Sequence, residues 1–158
     1  FGPVYIKIGM NHEKEFFPEN YKHSIYKNDI LKDGSDVAVF VTGSILEEAV
    51  KVCDMLDREG ITVKLINVTT IKPFNTEEVV NVARDISRIV VIEEHNIHGG
   101  LAGIIAETLM YAGISAKILP IGLKDNFAEG YGSQQMVRKV NGLDAESIYH
   151  QIMESNLI

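Results

Sequence analysis

From Asp36 onward the chain alternates short apolar runs with longer amphipathic stretches. Val37-Ala38-Val39-Phe40-Val41 is a continuous apolar run, the pattern of a strand buried on both faces. Thr42-Gly43-Ser44 follows, with Ser44 placed to cap a helix. Ile45, Ala49, Val52, Cys53 and Leu56 then recur at helical spacing, with Glu47, Glu48, Lys51 and Asp54 opposite, and Gly60 ends the helix. Residues 61–68 predict a second strand, Lys72-Pro73-Phe74 a turn, and Asn75 or Thr76 the cap of a helix through Ala83. A third strand is expected over 88–92, a third helix over 101–112 closed by Gly113, and a fourth strand over 116–121. An irregular loop at 125–132 leads to two short helices near 133–140 and 145–153, with Gly142 between them. Strand and helix thus alternate four times over residues 36–141. The predicted fold class is α/β, a three-layer open, mostly parallel sheet with helices on both faces.

The first 35 residues read differently. Val4, Ile6 and Ile8 alternate with Tyr5 and Lys7, a short strand of period two stopped by Gly9. Residues 10–35 form a linker broken by Pro18 and Asn20. Phe16, Phe17, Tyr21 and Tyr26 have no clear period there, and so many aromatics imply that the linker lies ordered against a surface. Residues 24–31 add a candidate edge strand. The predicted organisation is a terminal strand over 1–9, a linker over 10–35 and an α/β domain over 36–158.

Composition narrows the classes. The chain has 158 residues, 46% hydrophobic and 23% charged, as expected of one globular domain with its own core. Its net charge is −7, and residues 1–35 carry as many bases as acids, so all of that charge lies beyond them. No basic stripe is present to neutralise phosphates, which argues against a nucleic-acid partner. No apolar run reaches the eighteen or so residues of a membrane span. One cysteine, Cys53, and no signal peptide point to a cytoplasmic, disulfide-free protein. The start at Phe1-Gly2-Pro3 reads as a fragment or processed product.

Chemically capable residues concentrate at the end of the third strand, where an apolar run gives way to Glu93-Glu94-His95-Asn96-Ile97-His98-Gly99-Gly100. Ligands and partners of open α/β sheets dock at this edge. A carboxylate beside a histidine suits proton transfer or metal ligation. The glycines allow close approach of a ligand or another chain. The bland reading, a packed structural loop at an interface, is preferred for Glu93, Glu94, His95, His98, Gly99 and Gly100. Thr42-Gly43-Ser44 lacks the further glycines and the lysine of a phosphate loop, so it reads as a tight turn with a serine cap rather than an anion site. Cys53 falls on an apolar helix stripe and reads as core. His12 and His23 read as solvated linker positions, and His150 as a surface position. The loop Asp125-Asn126-Phe127-Ala128-Glu129-Gly130 is read as a connection, with substrate or partner contact as its functional alternative.

Several segments carry a family resemblance. Residues 36–44, residues 59–74 with their Ile71-Lys72-Pro73 turn, and Val91-Ile92-Glu93-Glu94-His95 with Gly99-Gly100-Leu101 resemble the transketolase C-terminal domain, in the family's order. Residues 2–9 resemble the last strand of the preceding pyrimidine-binding domain. The chain looks most like the C-terminal subunit of a split transketolase. Deoxyxylulose-phosphate synthases and the beta subunits of 2-oxoacid dehydrogenases share the domain. The resemblance implies thiamine diphosphate and magnesium in the complete enzyme, held by an N-terminal domain or subunit that carries the pyrophosphate site. It implies a homodimer partner, transfer of a two-carbon ketol unit, and no catalytic, cofactor or metal residue in this chain. A non-catalytic module binding a small anion is the reading from another class. Lys7 and Met10 stand where transketolases carry two arginines, which makes them the substrate-proximal positions and puts a sugar-phosphate substrate in doubt.

Overall fold

The computed structural model describes residues 2–6 and 14–158. Its sheet has five strands in the order β1-β3-β2-β4-β5. These are β1 (Asp29–Lys32), β2 (Val37–Thr42), β3 (Val63–Asn67), β4 (Arg88–Asn96) and β5 (Lys117–Leu123). Strands β3, β2, β4 and β5 run parallel, and β1 closes one edge antiparallel to β3. The helices are α1 (Leu46–Arg58), α2 (Thr76–Asp85), α3 (Leu101–Tyr111), α4 (Gln134–Val140) and α5 (Ala145–Glu154).

The apolar run that predicted a doubly buried strand is β2, and its alternation builds two cores. Val37, Val39 and Val41 face a cluster with Val52 and Leu56 of α1 and Ile148 and Ile152 of α5. Ala38 and Phe40 face the other cluster with Val79 of α2 and Ile105 of α3. Every residue from Val37 to Val41 is fully buried. Each such aliphatic side chain contributes about 1.5–3 kcal/mol relative to exposure. Both sheet edges are blunted, one by the short β1 and the other by Pro120, which leaves β5 a position without an amide donor.

The helix ends follow the chain chemistry. Asn75 accepts from the Glu78 amide and caps α2, and Ser133 accepts from the Met136 amide and caps α4. Gly60 takes φ +78° just beyond α1, the left-handed conformation a helix terminator needs. Cys53 is buried in the α1 core, and burial pushes its thiol up to about 12, so it is no nucleophile at neutral pH.

The structure differs from the sequence expectations in four places. Residues 2–6 form no strand, and Val4, Tyr5 and Ile6 are exposed, because no neighbouring strand pairs with them among the described residues; Lys7 and Ile8 lie outside those residues. Strand β4 does not stop at Ile92 but runs to Asn96. Its backbone keeps partners there, Glu93 beside Thr42 of β2 and Asn96 beside Leu123 of β5. Ser44 does not cap α1, whose N-cap is Ile45 without a side-chain bond. Glu48, expected on the solvated face, is buried. None of the described helices is long and apolar enough to cross a membrane.

Candidate functional site

The strand order turns between β2 and β4. From β2 the chain moves to β3 on one side, and later lays β4 on the other. At such a point the C-terminal strand ends diverge and leave a crevice. Thr42-Gly43-Ser44 stands on one side of it and Glu93-Glu94 on the other, with Thr42 and Glu93 in register. Successive strand residues point to opposite faces. The two neighbouring carboxylates are therefore sent to different layers of the protein.

Glu93 goes to the α3 side and is 3% exposed. Its oxygens accept hydrogen bonds from the amides of Leu101 (2.8 Å) and Ala102 (3.1 Å). Gly100, the N-cap of α3, has no side chain to do this, so the distant carboxylate replaces it at the positive end of the helix. A Cβ on Gly100 would stand 2.6 Å from Glu93 Cδ. The close approach that this glycine permits is thus to a carboxylate of its own chain.

Glu94 goes to the α1 side. Its carboxylate accepts from Arg138 Nε (2.8 Å), Arg138 Nη2 (3.0 Å) and Ser44 Oγ (2.7 Å). Ser44 Oγ in turn accepts from Gln134 Nε2 (3.0 Å) and Arg138 Nη2 (3.1 Å). Ser44 Oγ thus spends its acceptor capacity, which a helix cap would offer to an amide, on Gln134 and Arg138, while its hydroxyl donates to Glu94. Arg138 is 5% exposed, and its Nη1 lies 4.0 Å from Glu48 Oε1. Glu48 reaches in the other direction to the Ala145 amide at the start of α5 (2.8 Å) and is braced by Lys51 Nζ (2.8 Å). Burial pushes the Glu94 carboxyl up, but the bonds from Arg138 and Ser44 outweigh it and hold the group below its ordinary value.

The remaining predicted residues do not join this network. His95 and His98 are exposed. His95 Nδ1 lies 2.7 Å from the Asn96 carbonyl oxygen, and Asn96 Oδ1 accepts from the His98 amide (2.8 Å). No hydrogen bond or ion pair joins either glutamate to either histidine among the described residues. Gly99 takes φ +76° at the turn into α3. Nor do three or more histidine, cysteine or acidic side chains converge as for a metal among the described residues. A cleft of about 570 Å³ opens beside the network, bordered by Lys14, Phe16, Gly43, Ser44, Gln134 and Arg138. His12, Lys7 and Met10 lie outside the described residues. Sequence reasoning missed Arg138, Gln134 and Glu48. Arg138 meets Glu94 across 44 positions and Ser44 across 94, and no local pattern signals pairs so far apart.

The family model described as "Transketolase, C-terminal domain" matches residues 27–148. The chain is 35% identical over 156 residues to a "Putative transketolase C-terminal section" of Methanocaldococcus jannaschii, covering 97% of this chain and 48% of that protein. It is 31% identical over 155 residues to one of the subunits of an apulose-4-phosphate transketolase of Actinobacillus succinogenes, covering 98% of this chain and 50% of that one. The solved structure "Split gene transketolase, inactive beta4 tetramer" superposes with a TM-score of 0.80 at 27% identity, over 89% of this chain and 46% of that one. The chain therefore spans about half the length of the curated relatives it matches.

Arg138→Met is expected to destabilise the fold by about 2–3 kcal/mol, somewhat below the usual cost of breaking a fully buried pair, because Glu94 remains 31% exposed. The Glu94 carboxyl is depressed in the folded state, so its contribution is complete above its unfolded value near 4.5 and is lost as pH falls through the folded value. Urea unfolding should show a stability gap between the native chain and Glu94→Gln that is full at neutral pH and closes in acid. A gap constant with pH would refute this role of Glu94. Gly100→Ala should lower stability by roughly 2 kcal/mol, toward the upper part of the ordinary range for single substitutions, by driving a methyl group into the Glu93 carboxylate. Thermal melting checks it, and an unchanged midpoint would contradict the capping geometry.

Proposed function

This chain belongs to the transketolase C-terminal domain family, and from that membership we propose that it is the supporting domain of a split, thiamine-diphosphate-dependent transketolase. The complete enzyme would move a two-carbon ketol unit between a ketose and an aldose. The observation that carries this reading is how the strand-end side chains are engaged. Arg138 and Glu94 pair with each other where open α/β domains receive ligands, and Glu93 is committed to α3. The domain is built to hold shape and to present surfaces.

The residues present do not fit thiamine diphosphate and its cation. The crevice holds an arginine–glutamate pair instead of a diphosphate cradle, and no metal-binding cluster stands among the described residues. The cofactor would be held by an N-terminal subunit carrying the pyrophosphate site, together with the pyrimidine-binding domain that residues 1–9 would complete. The exposed Val4, Tyr5 and Ile6 support that assignment, being apolar residues without a partner strand among the described residues. Residues 10–35 would link the two domains. The loop Glu93 to Gly100 would present His95 and His98 at a subunit or domain interface. Self-association of this chain is supported by the solved relative, described as an inactive tetramer of its beta chain.

The chain alone should show no ketol transfer and bind thiamine diphosphate with magnesium more weakly than micromolar, about −8 kcal/mol in calorimetry. Adding the N-terminal subunit should restore both. Micromolar binding by the chain alone would defeat the proposal. Met10 offers no positive charge where the family has an arginine, and losing one charge-assisted contact costs about 1.5–3 kcal/mol. In the assembled enzyme, Met10→Arg should therefore raise the preference for a phosphorylated substrate over its unphosphorylated analogue by about tenfold to a hundredfold in kcat/KM. An unchanged ratio would show that this position does not read the phosphate.

A further inference from the structure

We propose that the loop after β5, residues 124–132, with the adjoining face of α4, is the surface through which two copies of this chain meet. The inference rests on the self-association read above and names the surface responsible. Phe127 is 98% exposed and Tyr131 93%, and Met136 and Val140 beside them are also exposed. Single exposed apolar residues are ordinary on proteins. These four are grouped on one loop and the helix that follows it.

The loop is held in place rather than free. Asn141 accepts from the Glu129 amide (2.9 Å) and donates back to the Glu129 carbonyl (2.9 Å). Asn96 Nδ2 donates to Asp125 Oδ1 (2.9 Å), tying the start of the loop to the end of β4. Beneath it, α4 is fixed by the pairing of buried Arg138 with Glu94. Two large aromatic rings are thus displayed from an ordered backbone. Little further ordering would accompany binding, and aromatics so placed are the usual anchors of protein interfaces.

The local charge favours a second copy as the occupant. A two-fold contact sets one patch against itself, so the patch must not repel its own image. The exposed charges around the rings are Lys124 and Lys139 against Asp125 and Glu129, and they cancel. Arg138 is neutralised by Glu94. The net −7 of the chain therefore lies elsewhere, and two copies meet without repulsion here. Across the axis each lysine can face an acid of the partner copy.

Sedimentation equilibrium of this chain tests the proposal, with two double variants: Phe127→Ser with Tyr131→Ser, and Lys124→Glu with Lys139→Glu. All four positions are exposed, and matching circular dichroism melts confirm folding. The native chain should associate. The first variant should weaken association about a hundredfold, the scale of losing two interface anchors. The second should weaken it at low salt and recover as salt is added. A native chain that stays monomeric overturns the self-association reading, and this surface with it. Native association that both variants retain unchanged overturns only the surface. If the variants instead lose affinity for the N-terminal subunit while self-association persists, the surface belongs to that subunit and the two-fold contact is refuted.

Discussion

Two adjacent carboxylates on one strand cannot point the same way, and the structure is organised around that constraint. Strand β4 sends Glu93 to one face of the sheet and Glu94 to the other. Glu93 takes the amides that begin α3, and so fastens the layer formed with α2. Glu94 takes Arg138 of α4 and Ser44 at the entry to α1, and so fastens the opposite layer. A one-residue slip of β4 would exchange these roles and leave both carboxylates facing the wrong partners. The apolar pattern of the sheet and the polar pattern of its rim therefore specify the same register.

The buried part of this arrangement was legible from the sequence, and the polar rim was not. Apolar continuity predicted the four parallel strands because residues buried on both faces leave little room for polar types. Helical spacing and the glycines at Gly60 and Gly113 fixed the helices nearly to their ends. Strand β4 was read as stopping at Ile92 because Glu93, Glu94 and His95 are polar. Pairing, however, is a backbone property: Glu93 still pairs with Thr42, and after an irregular stretch Asn96 pairs with Leu123. Ser44 looked like a helix cap because that is the local option for a serine. Its oxygen instead accepts from Gln134 and Arg138, 90 and 94 positions away. Glu48 looked solvated because its helix neighbours are, yet it serves the start of α5, 97 positions away. The misses at Ser44 and Glu48 come from polar side chains taking partners distant in sequence, a choice that periodicity does not encode.

The pairing across the strand-end crevice has an electrostatic logic. Burying Arg138 alone would be costly, since a charge removed from water needs a compensating partner. Bidentate pairing with Glu94 and a further bond to Ser44 supply that compensation, and Gln134 donates to the same serine oxygen. Glu48 adds a second negative charge at a greater distance. Such networks are satisfied as a whole or not at all. The arrangement is a structural weld that ties α4 and α5 over the ends of β2 and β4, at the place where other domains of this architecture leave room for a ligand.

That weld redistributes what the domain offers to its surroundings. With Glu93 and Glu94 both engaged by their own chain, chemistry at the sheet edge gives way to geometry around it. The loop before the C-terminal helices displays Phe127 and Tyr131 to water. The Asn141 clamp holds that loop at Glu129, and Arg138 anchors the helix that follows it. On the proposed reading, a chain that leaves cofactor and chemistry to a partner subunit contributes what this fold supplies well: a stable platform with fixed contact surfaces. The ion pair and the exposed rings are then parts of one device, because the first anchors the helix that follows the loop bearing the second.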